Sequence, residues 1–215
     1  DGESLNTVVD EAAENGIPVI AYDRLIMNDN VQYYVSFDNF SVGVLQGQFL
    51  EEQLGLADRT ADDPAYIEFT AGDPADNNAP FFFNGAMSIL QPYLDSGVLV
   101  CLSGQTDFDV VATEQWNTDT ALDRAQTILA SYYSGGEHLD AWLCSNDSTA
   151  LGVTQAVTSD YTGGNTVIIT GQDGDVANLR NIIDGTQAMT VYKAVANEAV
   201  ATLDIAAAIL AGDPV

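Results

Sequence analysis

The stretch TVIITGQD, Thr166 to Asp173, decides how this chain is read. Val167, Ile168 and Ile169 form a short continuous β-branched run. Such a run between turn residues reads as a strand buried on both faces, as in a parallel sheet covered by helices. Gly163 and Gly164 lead into it, and Gly171, Gln172, Asp173, Gly174 and Asp175 lead out. Polar groups therefore stand at the carboxyl end of a buried strand, the edge at which open α/β sheets hold ligands. Three other runs end the same way: IPVIAYDR (17–24), HLDAWLCSND (138–147) and QAMTVYK (187–193). The pattern predicts that these ends converge on one small polar ligand.

Working outward, strands alternate with helices. The chain opens on a helix over 3–15, with Leu5, Val8, Val9 and Ala12 on one face and Asn15-Gly16 as a left-handed cap. Strands follow over 17–22 and 31–37, and Ser41 is placed to cap a helix through Leu50 and beyond. The next units pair strand 65–70 with a helix opened by Asp76 or Asn77, and strand 98–102 with a helix over 119–133. A polar loop is expected over 104–113. Strand 139–144, helix 149–159, the opening strand, helix 176–184, strand 189–192 and helix 195–210 complete the series. This alternation predicts an α/β fold of doubly wound parallel sheets with right-handed crossovers.

Composition sets limits on function. With 215 residues, 47% of them apolar, the chain can build one large or two small domains. Five basic side chains against 32 acidic ones give a net charge of −27. That excludes nucleic acid, which needs Lys and Arg to displace counterions, and an anionic membrane surface for the same reason. No run approaches the roughly 20 apolar residues of a membrane span. Cys101 and Cys144 fall in strands expected to be separated by a third. Their Cα atoms would then be about 10 Å apart, beyond disulfide reach, so two buried free thiols are expected. A helix this near the first residue, with no strand to feed it, suggests a piece of a longer chain.

Catalytic chemistry finds little support. The single histidine, His138, follows Gly135-Gly136-Glu137 and reads as a surface residue. No G-x-S-x-G elbow, P-loop or G-x-G-x-x-G is present. Clustered Cys and His for zinc are missing, and Asp107 with Asp109, or Asp173 with Asp175, lack the EF-hand spacing for calcium. The expectation is no catalytic residue, no resident cofactor and no metal, with calcium and a carboxylate pair for glycoside hydrolysis left open by the many acids. What remains is a ring of planar polar groups: Asp23, Arg24, Asn77, Asn78, Asn146, Asp173 and Lys193. Each suits adjacent sugar hydroxyls, which donate and accept together. Trp116 offers an apolar face to a pyranose ring, or else packs in the core. Asn146-Asp147 also reads as an N-cap, which does not exclude a ligand role for Asn146.

At these same residues the sequence resembles the periplasmic sugar-binding proteins of ABC importers, in the xylose-binding and multiple-monosaccharide-binding branch. The motifs are AYDRLI (21–26), YYVSFDN (33–39), GDPADNNA (72–79), SGQT (103–106), EQW (114–116), SND (145–147), TGQD (170–173) and GTQAMTVYK (185–193). The resemblance implies a type I binding protein with two doubly wound lobes and a monosaccharide in the cleft. It further implies delivery to an ABC permease from an extracytoplasmic position, either the periplasm or a cell-surface lipoprotein. Carried over by position, Asp23 and Arg24 come from the N-lobe, Asn78, Trp116, Asn146 and Asp173 from the C-lobe, and Lys193 from the hinge. Residues 1–41 and 194–215 then form an incomplete N-lobe and 42–193 the C-lobe. The first strand–helix units of the family's N-lobe are not in this sequence, and the uncovered sheet edge this leaves would favour self-association. The sugar-sensing core of a transcription regulator has the same fold and is the alternative.

Overall fold

The computed structural model describes residues 2–215. In chain order the elements are α1 (Asn6–Glu14), β1 (Ile20–Tyr22), β2 (Tyr33–Val35), α2 (Asn39–Leu54), β3 (Ala65–Thr70), α3 (Ala79–Ser96), β4 (Leu99–Val100) and α4 (Phe108–Val111). A 3₁₀ turn at Leu56–Asp58 follows α2, and after a second at Glu114–Trp116 come α5 (Thr118–Tyr132), β5 (Ala141–Cys144), α6 (Asp147–Asp160), β6 (Ile168–Ile169), α7 (Val176–Asp184) and α8 (Val195–Ala211). The chain forms two compact units. One holds Asp1–Asp38, Ala75–Asn78 and Lys193–Val215, and the other Asn39–Pro74 and Ala79–Tyr192.

In the first unit β1 pairs parallel to β2, Ile20 opposite Tyr33 and Tyr22 opposite Val35. Val9 of α1 and Ala21 of β1 are its buried apolar residues. Gly16 takes the left-handed conformation (φ 68°) that closes α1, as the Asn-Gly pair predicts. Glu198, in the first turn of α8, is only 4% exposed. Burial raises its carboxyl above the usual glutamate range, and the charge of Asp23 adds to the rise. Lys193 and a hydrogen bond from the Asp23 main chain oppose it.

The second unit is built on a four-stranded parallel sheet in the order β4-β3-β5-β6. β3 and β5 run side by side for four residues, from Ile67 opposite Ala141 to Thr70 opposite Cys144. All four residues of β5 are buried, as expected of a strand covered on both faces. One face packs Leu50, Ile67, Phe69, Phe83, Leu90 and Leu143, and the other Ile128, Leu139, Trp142, Val153 and Ile169.

Several expectations are corrected by local interactions. The segment 104–113 is not all loop: α4 forms there because Phe108 tilts against Phe83 at 5.8 Å and the Val111 carbonyl accepts from the Ala71 N–H at 2.8 Å. α2 begins at Asn39, two residues ahead of Ser41. α3 begins at Ala79 and not at Asp76 or Asn77, since the Asp76 carboxylate accepts from the Asn78 N–H at 3.0 Å in a preceding turn. α6 begins at Asp147, because Asn146 caps it through Oδ1 to the Thr149 N–H at 3.0 Å. The expected strand at 189–192 is reduced to one parallel bridge, Gln172 to Val191. β3 does separate the strands that lead to the two cysteines, and both thiols are free, but Cys101 is only half-buried.

Helices α2 and α3 meet through glycine. A Cβ on Gly43 would lie 1.9 Å from the Phe82 carbonyl oxygen, and one on Gly85 2.1 Å from that of Phe40. Alanine is ordinarily better than glycine within a helix by about 1 kcal/mol. Here the obstacle is backbone, so Gly43→Ala should instead lower stability by about 1–3 kcal/mol. Thermal unfolding should show a Tm fall on the order of 5 °C, whereas an unchanged or raised Tm would mean the helices can separate at no cost. Glu198 generates a pH prediction. Its native carboxyl holds a proton that the unfolded chain has already released, so its contribution to stability falls as pH rises through the window above the ordinary glutamate pKa. Glu198→Gln removes that loss. The Tm of the variant minus that of the parent should grow between pH 4 and pH 7, and a constant difference would show that the group titrates normally.

Candidate functional site

The two sets of candidate side chains are positioned by strand ends. In the first unit β1 and β2 are parallel, so both deliver their C-terminal residues to one edge. Asp23 follows β1 with φ 60°, a conformation uncommon outside glycine. Three donors hold its main-chain carbonyl: the Tyr34 hydroxyl at 3.1 Å, the Ser36 hydroxyl at 3.0 Å and Asn78 Nδ2 at 3.0 Å. Its carboxylate Oδ1 stands 3.8 Å from Lys193 Nζ. That ammonium lies 5.4 Å from the centre of the Phe37 ring, within cation–π range.

Arg24 turns to Asp76, Nε to Oδ2 at 3.3 Å, and keeps just over half of its side chain exposed. The other Asp76 oxygen accepts from the Asn78 main chain. Four expected residues, Asp23, Arg24, Asn78 and Lys193, are thus gathered in one unit. Asn78 joins the first unit although the family pattern implied the second. Tyr34, Asp76 and Glu198 belong to the same cluster and were not singled out from the sequence. Tyr34 Oη donates to Asn78 Oδ1 at 3.2 Å, and burial is the first cause of the raised Tyr34 pKa. The YYVSFDN motif contained Tyr34, but alternation along a strand gave no means of telling which tyrosine faced Asn78.

In the second unit, Asn146 follows β5 and Asp173 follows β6, next to each other across a parallel pair. The Asn146 Oδ1 accepts from both the main chain and hydroxyl of Thr149, each at 3.0 Å. Its Nδ2 makes no hydrogen bond to any described residue and remains a donor. Asp173 has φ 111°, well outside the left-handed helical region, and its N–H donates to the Val191 carbonyl at 2.9 Å. Strain of this kind in a non-glycine residue persists only where the surroundings impose it, and it gathers at ligand sites.

Trp116, expected either to face a pyranose ring or to pack in the core, ends the 3₁₀ turn that follows α4. It is 9% exposed and packs with Val42, Ala79 and Phe82, meeting the Phe82 ring edge-on at 6.1 Å. Its indole lies across Gly72, where a Cβ would be 1.9 Å from the ring. Among the described residues Asn77 has none of the hydrogen bonds that Asn78 makes to Asp23, Tyr34 and Asp76. Among the described residues no three His, Cys, Asp or Glu side chains come together in a way that could hold a metal ion. Among the same residues no helix is long and apolar enough to cross a membrane.

Comparison with known proteins gives this geometry a family. A family model described as a periplasmic binding protein domain matches residues 1–214. The multiple sugar-binding periplasmic protein SbpA of Azospirillum brasilense is 42% identical over 99% of this chain and 60% of its own length. The multiple sugar-binding periplasmic receptor ChvE of Rhizobium radiobacter is 44% identical with the same coverage of each chain. An ABC transporter solute-binding protein from Clostridium phytofermentans, solved with bound β-D-glucose, superposes with a TM-score of 0.95 at 51% identity, over 100% of this chain and 65% of that one. This chain therefore spans about 60% of the length of those curated relatives. Its parallel sheets, strand-end polar residues and full-length match agree, and the chain belongs to the periplasmic binding protein family.

Proposed function

We propose that this chain is part of an extracytoplasmic solute-binding protein that captures a monosaccharide and delivers it to an ABC permease. The observation that carries the proposal is the placement of polar side chains at the C-terminal ends of parallel strands: Asp23 after β1, Asn146 after β5 and Asp173 after β6. That edge of an open parallel sheet is where such folds hold ligands. Membership in the family, the two relatives named as multiple sugar-binding proteins and the glucose bound in the solved structure support the ligand class. The sugar is of the xylose, glucose, galactose or arabinose type.

The roles follow from donor and acceptor chemistry. Asp23 and Asp173 accept from sugar hydroxyls, and Arg24, Asn78 and Lys193 donate to them. Asn146 donates through the Nδ2 that its capping role leaves free. Trp116, packed beside Gly72 and Phe82, offers the remaining face of its indole to the apolar C–H side of the sugar. No bond is made or broken in this function; ligand binding shifts the protein toward a form that the permease recognises. The division into an N-lobe of 1–41 and 194–215 and a C-lobe of 42–193 is part of the same proposal, supported by the separation of the chain into two compact units.

Calorimetric titration with a panel of pentoses and hexoses tests this in the full-length protein. At least one aldose should bind, and Asp173→Ala and Arg24→Ala should each weaken it by about tenfold or more, because each leaves buried hydroxyls unpaired. Binding that is indifferent to both substitutions would remove these residues from the site. Absence of binding to every sugar in the panel would remove the ligand class.

A further inference from the structure

Asn146 and Asp173 have roles in the binding proposal, but Asp147, which joins them, has none. It is fully buried. Its carboxylate gathers four donors from two separate segments. Oδ2 accepts from the main-chain N–H groups of Gly174 at 2.9 Å and Asp175 at 2.8 Å. Oδ1 accepts from the Thr190 hydroxyl at 2.9 Å and Gln187 Nε2 at 3.2 Å. An ionised carboxylate has about four acceptor positions, so the protein itself occupies them all. Burial raises the Asp147 carboxyl above its ordinary range, and these same hydrogen bonds oppose the rise.

The main chain of Asp147 extends the network. Its N–H donates to the Gln172 carbonyl at 2.8 Å, and its carbonyl accepts from Asn178 Nδ2 at 2.8 Å. Gly171 leaves the room this requires, since a Cβ there would sit 2.2 Å from Oδ1. The two gripped amides directly follow Asp173, the residue with φ 111°. Thr190 also accepts from the Gly174 N–H at 3.2 Å, so the loop is held from both sides.

We infer that Asp147 is a positioning residue: its carboxylate grips the Gly174 and Asp175 amides and the Thr190 hydroxyl, and so fixes Asp173 in the orientation that meets the ligand. The inference rests on the proposed role of Asp173 in sugar binding. Its reach is specific. A structural aspartate that only favoured the start of α6 would not need the donors at Gln187 and Thr190, which lie 40 and 43 residues further along the chain.

Amide hydrogen exchange in the full-length protein tests the grip without any sugar. In Asp147→Ala the Gly174 and Asp175 amides should exchange at least tenfold faster, while the Ile67 and Leu143 amides of the central strands keep their rates. Unchanged rates at Gly174 and Asp175, or equal acceleration in the central strands, would overturn the inference. Thr190→Val removes one donor and one acceptor without removing the carboxylate. It should give a smaller acceleration, about threefold, at Gly174, and it carries the same test should Asp147→Ala not fold. Titration with D-glucose and D-xylose supplies the second readout. Asp147→Ala should weaken binding at least tenfold in the parent protein and less than twofold in an Asp173→Asn background. Equal factors in both backgrounds would overturn positioning through Asp173. A parent protein that binds neither sugar removes glucose and xylose as ligands, and the exchange rates then decide whether Asp147 holds the loop.

Discussion

The second unit depends on the parallel pairing of β3 with β5. Four residues of each stand in register, and helices cover the pair on both faces. Parallel strands must all be entered from the same end, so each is followed by a crossover that starts at the same edge. That constraint places the polar residues after β5 and β6 side by side even though they lie 27 residues apart in the chain. Burial of the strands is thus the cause, and the neighbouring position of Asn146 and Asp173 the consequence.

Holding polar groups at such an edge is costly unless each is satisfied. The second unit meets this with side chains that bridge strand ends. Gln46 of α2 donates through Nε2 to the carbonyls of Gly171 at 2.8 Å and Cys144 at 3.1 Å, joining the ends of β5 and β6 from one face. Asp147 joins the same ends from the other direction. Deeper in the sheet the Glu68 carboxylate accepts from the Tyr133 hydroxyl at 2.9 Å and from the Ser103 N–H at 3.0 Å, tying β3 to the segment after β4. Nearby, Arg124 donates to the Phe69 carbonyl and to Gln105 Oε1, each at 2.6 Å. These bonds tie together segments far apart in the chain and so favour one arrangement of the loops, because breaking them would leave buried groups unpaired.

The first unit works with less apolar material and more charge. Its buried core residues are small in number, and Asp23, Arg24, Asp76, Lys193 and Glu198 lie close together around one strand end. Such a cluster is balanced by pairing, Arg24 with Asp76 and Lys193 with Asp23. Burial raises the pKa of Glu198. An exposed arginine and a more buried lysine, each beside a carboxylate, give this strand end a polar rim.

The sequence by itself determined the alternation of strands and helices, the parallel class of sheet, and the identity of strands β3, β5 and β6. Those features follow from local apolar runs and the turn residues that bound them, which act over a few residues and need no knowledge of the rest. It also marked Asp23, Asn146 and Asp173, since a polar residue ending a buried run is visible in the letters. Tertiary structure alone decided what each of these touches. Asn78 reaches Asp23 across 55 residues, Asp147 reaches Thr190 across 43, and Trp116 is drawn over Gly72 into the apolar cluster. α4 forms within an expected loop because Phe108 finds Phe83, and the last expected strand shrinks to a single bridge. These outcomes come from contacts between segments far apart in the chain, and no local pattern of residues encodes them.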